Sequence, residues 1–286
     1  LGDVMGMGVV GCAWASLAVK NVMMMTGLWL LRTQDIYRPY QLWRLPEKIE
    51  WPVIGHFLRM GVPAGLSIMV EVTSFTLMAL FIARLGSVAS ASHQIAASLA
   101  AVLYMVPLAL GIASSARTGY WLGAGDARRA RQAAGMGIGL AIGAALACAG
   151  LLLLGREHIA HAFTNDPLVA KAAIVWLGWV AIYHLADAVQ AVCAFLLRCY
   201  RITVAPLLIY TAFLWGLGLY GGYLWAYDTS ALGGAMHWIA RPSVDAFWIS
   251  SSLALSAVSM MFAVLMWRVS QIPRTPDTAI KNPSRL

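Results

Sequence analysis

Long apolar runs, broken by short stretches that are polar, basic or proline-containing, make up most of this chain. Seven of them stand out: Val4–Leu31, Phe57–Ala83, Val88–Ser115, Ala130–Leu154, Leu168–Leu197, Val204–Trp225 and Phe247–Trp267. Each supplies the roughly 20 apolar residues that a helix needs to cross the hydrocarbon core of a bilayer, and a single soluble core does not account for so many. Apolarity is continuous along them rather than alternating at every second position, so they predict helices and not the strands of a membrane barrel. The expected fold is all-α and integral to a membrane, with about seven transmembrane helices.

Two stretches interrupt the pattern. Residues 32–56 mix charge with Tyr, Trp and the prolines Pro39, Pro46 and Pro52, which predicts a linker lying along the cytoplasmic surface with a short amphipathic helix. Residues 270–286 are polar and contain Pro273, Pro276 and Pro283, which predicts a mobile cytoplasmic tail. The division is then one lone helix (1–31), the linker (32–56), a six-helix body (57–269) and the tail (270–286).

Composition sharpens the picture. With 60% hydrophobic and 11% charged residues and a mean hydropathy of +0.73, the chain lies outside the range of soluble domains. A net charge of +8 would suggest nucleic acid or anionic partners in a soluble protein. Here it follows topology. One set of alternate loops holds Arg32, Arg38, Arg44, Lys48, Arg59, Arg117, Arg128, Arg129, Arg131, Arg198, Arg201, Arg268, Arg274, Lys281 and Arg285, whereas the other holds Arg84, Arg156, Lys171 and Arg241. Basic loops stay cytoplasmic, so this is a multi-pass protein of the plasma (inner) membrane, with the N-terminus of the chain outside, the C-terminus in the cytoplasm and no role for nucleic acid.

The start Leu1-Gly2-Asp3 gives neither a signal peptide nor a natural start and suggests a fragment. Trp29, Trp225, Trp248 and Trp267 fall near run ends and are expected at the headgroup layer. Cys12, Cys148, Cys193 and Cys199 lack metal-ligand spacing and are expected as small buried hydrophobes. Pro63 and Pro107 are candidate bending points. Gly135, Gly137, Gly139 and Gly143 form a small-residue run suited to close helix packing. A phosphate cradle would need a following Lys-Ser or Lys-Thr, and no hydrolase triad or metal box is visible, so no enzyme is expected.

Candidate chemistry rests on ionisable residues inside the runs. Glu71 lies about 12 residues after Arg59 and Asp187 about 11 before Arg198, so each sits roughly 17 Å from the cytoplasmic end. Lys20, about 12 residues before Arg32, falls at a similar depth. Burying such groups costs a few kcal/mol or more, and they usually face a bundle interior or aqueous cavity that serves transport. The alternative is an ion pair of Lys20 with either carboxylate that pins helices together. Ser67, Glu71, Ser74, Phe75 and Met78 share one helical face, and Trp176, Tyr183, Asp187, Gln190 and Ala194 share another. Oxygen ligands beside aromatic surface can hold a proton or hard cation and also accept a flat organic cation. His184 could bond to Asp187 or relay protons, or it could bond to a backbone carbonyl on a neighbouring helix.

The stretch from Leu85-Gly86 through His93-Gln94-Ile95-Ala96, Met105-Val106-Pro107-Leu108, Arg117-Thr118-Gly119 and Leu122-Gly123-Ala124-Gly125-Asp126 resembles the second and third helices of a lobe in the multidrug and toxic compound extrusion (MATE) family. Glu71-Val72-Thr73, Asp187-Ala188-Val189-Gln190 and Leu197-Arg198 further resemble its NorM-like branch. The resemblance implies a parent of twelve helices in two lobes that exports cationic drugs against Na⁺ or H⁺. This chain would supply the last helix of the first lobe, the linker and the second lobe. It would therefore have the missing first lobe or a second copy as partner, alongside small organic cations and the lipid bilayer. The positions matching Glu71, Tyr183 and Asp187 are then implicated in cation coupling, with Glu71 and Asp187 as ligands if Na⁺ is used. Lys20, Ser67, Ser74, Phe75, Met78, His184 and Gln190 would line the substrate cavity, and no cofactor other than the coupling ion is implied. Cys199 stands where the family has Gly, and Lys20 where a neutral residue is expected.

Two rival readings remain. A seven-span chain also matches receptor topology, although a retinal pigment needs a Lys on its last span and Phe247–Trp267 has none. A lipid-precursor flippase of the same superfamily should have a basic cavity, whereas the interior expected here is acidic apart from Lys20.

Overall fold

The computed structural model describes residues 8–40, 51–227 and 244–271, all of whose regular elements are helical. Residues 41–50 of the expected linker, residues 228–243 and the expected tail beyond residue 271 lie outside the described residues. Seven helices among those described are long and apolar enough to cross a membrane. Two compact units divide the chain, Leu1–Val53 and Ile54–Leu286.

In the first unit, α1 (Gly8–Thr33) is followed by a 3₁₀ turn at Asp35–Tyr40, within the segment expected to carry a short helix. Lys20 is exposed on α1, together with Trp14, Met23 and Trp29.

The second unit is built on α2 (Trp51–Ala83), α3 (Ser87–Gly123), α4 (Ala127–Phe163), α5 (Pro167–Cys199), α6 (Val204–Tyr210), a π-helical segment (Thr211–Tyr220), α7 (Gly221–Tyr227) and α8 (Val244–Gln271). All seven predicted runs are helical where described, but most reach further than their apolar cores. α2 starts six residues before Phe57, because Pro52 falls in its first turn, where the missing amide hydrogen has no partner to lose. α3 and α4 have 37 residues each, about 55 Å at 1.5 Å per residue, against a hydrocarbon core of about 30 Å. Charged residues at their ends stop the apolar pattern without stopping the backbone ladder. Ser270, expected in the tail, is still helical and buried.

Turns follow local chemistry. Gly86 (φ +113°) and Gly125 (φ +77°) take backbone conformations that favour glycine. Asp126 accepts from the Arg129 amide at 2.9 Å and Asp166 from the Leu168 amide at 2.8 Å, starting α4 and α5 with side-chain caps.

α5 is the axis of the unit. Buried residues make up 67% of its most apolar stretch, against 22–44% for the unit's other spans, and it packs on α3, α4 and α8. The outer faces of the helices around it are apolar and exposed, with Leu151 and Leu154 of α4 and Met260 of α8 turned outward, as lipid-facing side chains should be. The expected glycine seam on α4 is mostly an alanine seam. Ala130, Ala134, Gly137, Ala141, Ala145 and Ala149 are buried, while Gly135, Gly139 and Gly143 face away from the core with open space around them. Only Gly137 meets a neighbour closely, because a Cβ there would lie 2.6 Å from Ser114 Cβ. Gly137→Val should therefore force α3 and α4 apart and cost about 1–3 kcal/mol, read as a lower melting temperature in detergent, whereas Gly139→Val should not.

Trp248 corrects the headgroup-belt expectation. It is fully buried, in edge contact with Phe75 and Tyr183 and tilted against His93, while Trp29 and Trp267 remain largely exposed. Position near a run end resembles a belt position in sequence, but the start of α8 is covered by α2, α3 and α5. Pro63 and Pro107 both lie within continuous helices. Cys193 is buried as expected, whereas Cys148 and Cys199 are only partly buried and the side chain of Cys12 falls outside the description.

Candidate functional site

Two apolar clusters fill the second unit. One surrounds Trp176, Phe247 and Trp248, and the other surrounds Leu197, Leu255 and Phe262, with Tyr183 packed against both. Polar side chains gather at this level. α5 brings Asp187 and Gln190 inward, three residues apart and one helical turn beyond Tyr183. α2 contributes Glu71, and α6 ends at Tyr210.

A single carboxamide ties these groups together. Gln190 donates through Nε2 to Glu71 Oε1 at 3.0 Å and to Asp187 Oδ1 at 3.0 Å. Its Oε1 accepts from the Tyr210 hydroxyl. Gln190 is fully buried, Asp187 is only 6% exposed and Glu71 is partly buried, so two acids carried by different helices meet at one buried carboxamide. No Lys, Arg or His within the described part of this unit forms an ion pair with either acid, and Tyr104, Tyr183, Tyr210 and Arg198 are other ionisable groups close enough to feel Glu71.

Beside the acids opens a cleft lined by Glu71, Ser74, Phe75, Met78, Tyr183, Leu214, Gly218 and Ser251. Five of the residues singled out in the sequence therefore share one wall. The floor is the π-helical segment, whose wider turn puts Leu214 and Gly218 against the cleft. The segment is tied to its neighbours from both sides. Ser74 donates to the Leu214 carbonyl at 3.3 Å, Trp215 Nε1 to the Val70 carbonyl at 3.2 Å, and Ser250 to the carbonyls of Leu217 and Gly218.

Several expected site residues lie elsewhere. Ser67 donates to the Pro63 carbonyl at 2.8 Å and lines a separate cleft with Arg198 and Tyr210. His184 is buried with neither ring nitrogen hydrogen-bonded, so it contacts neither Asp187 nor a backbone carbonyl in the ways expected. Trp176, assigned to the acid face, donates to Asp245 at 3.1 Å and joins α5 to the start of α8. Tyr210, Ser251, Leu214 and Gly218 were missed. Nothing in an apolar run distinguishes them: Leu214 and Gly218 reach the cleft through a π-helical turn that periodicity does not announce, and Tyr210 and Ser251 are brought in by the packing of α6 and α8.

The described residues thus form a membrane-type helical bundle with an acid pair bridged inside it beside a partly aromatic cleft. The chain belongs to the MATE family: the MatE family model matches residues 63–224. It is 36% identical over 275 residues to a probable multidrug resistance protein NorM of Aromatoleum aromaticum, covering 95% of this chain and 58% of that protein. It is 34% identical over 266 residues to the multidrug resistance protein PmpM of Pseudomonas aeruginosa, covering 92% and 54%. The chain thus spans a little over half the length of these relatives. A solved structure described as the outward-facing conformation of a multidrug resistance MATE family transporter superposes with a TM-score of 0.76 at 17% identity, over 94% of this chain and 58% of that one. At that identity the likeness speaks for the fold alone.

Proposed function

We propose that this chain forms the second lobe, with the preceding helix, of a multidrug exporter that exchanges organic cations for Na⁺ or H⁺ across the inner membrane. Glu71 and Asp187 bind the coupling cation, and the cleft edged by Phe75, Met78 and Tyr183 receives the drug. The observation that carries this is the shared bridge of Gln190: two carboxylates on separate helices are held at one point, so they act as one site. Relatives named as multidrug resistance proteins support the exporter reading over the receptor-like one. An interior that supplies carboxylates, rather than a row of cations, supports it over a pyrophosphate-lipid flippase. The basic end of the bundle faces the cytoplasm in this reading.

Exchange follows from competition. At about 4 Å, two unit charges interact by roughly 4 kcal/mol at an effective dielectric of 20, so neutralising one carboxylate removes much of what holds a cationic drug nearby. A ligand shifts the balance of conformations only by the difference in its affinity for each, and charge cancellation provides that difference. In the full-length protein, saturating Na⁺ at fixed pH, or acidification at fixed Na⁺, is expected to weaken ethidium binding at least tenfold. Ethidium affinity indifferent to both would sink the competition scheme.

A further inference from the structure

No basic side chain among the described residues of its unit pairs with either member of the acid pair, yet each acid has a donor aimed at it. That donor is one NH₂ group. A carboxamide nitrogen carries two hydrogens, and Gln190 directs one to Glu71 and the other to Asp187, while its oxygen takes the hydroxyl of Tyr210. The positive end of a neutral dipole thus occupies the position of a cation.

We infer that Gln190 is a positioning residue that stands in for the coupling cation in the empty state, and that cation arrival turns its carboxamide over and transfers the change to Tyr210. The inference rests on the exchange reading above. A cation entering between the acids meets the NH₂ dipole with like sign. Protonation of either acid at the oxygen that Gln190 bonds creates the same conflict, because a new O–H faces an N–H. Turning the terminal torsion resolves both cases, and that torsion is broad and roughly two-fold, so the turn meets no steep barrier of its own. Oε1 then faces the cation as an oxygen ligand or accepts the new O–H, and Nε2 faces the Tyr210 oxygen, which can accept as well as donate. The Tyr210 ring stays in place in its edge contact with Phe262, 5.0 Å between centroids, so the hydrogen bond reverses direction without moving the ring.

The position of Tyr210 gives the reversal a consequence. It is the last residue of α6, and the π-helical segment begins at the next residue. That segment is also tied to α2 through Ser74 and the Leu214 carbonyl, one turn from Glu71. Occupancy of the acid pair is therefore felt at two points four residues apart, Tyr210 and Leu214, where the π-helical segment begins. The ionisable groups around the bridge are Glu71 from α2, Tyr104 from α3, Tyr183, Asp187 and Arg198 from α5, and Tyr210 itself.

The test is ethidium efflux by the full-length protein in proteoliposomes, with Na⁺ titrated at fixed pH and pH titrated at fixed Na⁺. Gln190→Met removes both donors at similar side-chain length, so nothing competes with the cation. The half-saturating cation concentration should fall at least fivefold, while the maximal rate falls because release slows. Tyr210→Phe alone should shift that concentration more than twofold, and should add nothing on the Gln190→Met background. A merely structural role would lower the maximal rate and leave the half-saturating concentration unchanged, and that result overturns the inference. If Gln190→Met does not fold, Tyr210→Phe, which keeps the ring contact with Phe262, decides alone: an unchanged value overturns it. Asp187→Asn is run alongside. Cation-dependent efflux surviving in that variant would bring down the exchange reading and this inference together. Its loss in that variant, with Gln190→Met titrating like the parent, would bring down this inference only.

Discussion

Asp187→Asn is expected to abolish cation-driven efflux, lowering the rate at least tenfold, while leaving the protein folded and as abundant as the parent. The side chain keeps its shape, and its amide oxygen still accepts from Gln190 Nε2, so that buried donor keeps its partner. What disappears is a negative charge 6% exposed in the centre of the bundle. Burying a charge without a counter-ion costs stability, so the melting temperature should hold or rise. Activity lost together with stability would mean that Asp187 is structural. Efflux within twofold of the parent, with normal expression, would remove the basis for the proposed exchange.

A second large effect is expected from Trp248→Ala. The indole is wholly buried, with ring centroids of Phe75, Tyr183 and His93 at 6.3, 5.9 and 5.6 Å. Removing it leaves a cavity, and a truncation of this kind costs about 3–5 kcal/mol. For a unit of this size that amounts to a loss of roughly 10 °C in melting temperature, measurable by thermal unfolding in detergent. Phe75 and Tyr183 also line the cleft and would lose their backing, so ethidium affinity should fall as well. Trp248→Phe should recover most of both losses. An exposed belt tryptophan would behave differently, since surface substitutions usually stay within about 0.5 kcal/mol. A negligible change for Trp248→Ala would put it back at the headgroup layer.

Gln190 illustrates how the sequence led to the site and where it stopped. Helical spacing put it on the face of Tyr183 and Asp187, and the structure keeps it there. Spacing did not show that it also reaches α2 and α6, because a bond spanning 119 residues depends on how helices pack and not on the period within any one of them. His184 shows the reverse. Three residues before Asp187, it suggested a bond on chemistry alone, but its ring turns into a packed region where neither nitrogen finds a partner. Ser67 shares the helical face of Glu71 yet opens on a different cleft, because one face of a long helix passes more than one neighbour.

Run length and continuous apolarity, by themselves, determined the helical class, the seven spans and the two acids out of place in them. These are local quantities: a helix closes its hydrogen bonds within a few residues, and a charge in an apolar run is costly wherever the run ends up. Tertiary structure alone decided which acid meets which donor, that Trp248 is core and not belt, and that a π-helical turn floors the cleft. Each of those depends on side chains far apart in sequence occupying one small volume, and no pattern along a single helix carries that information.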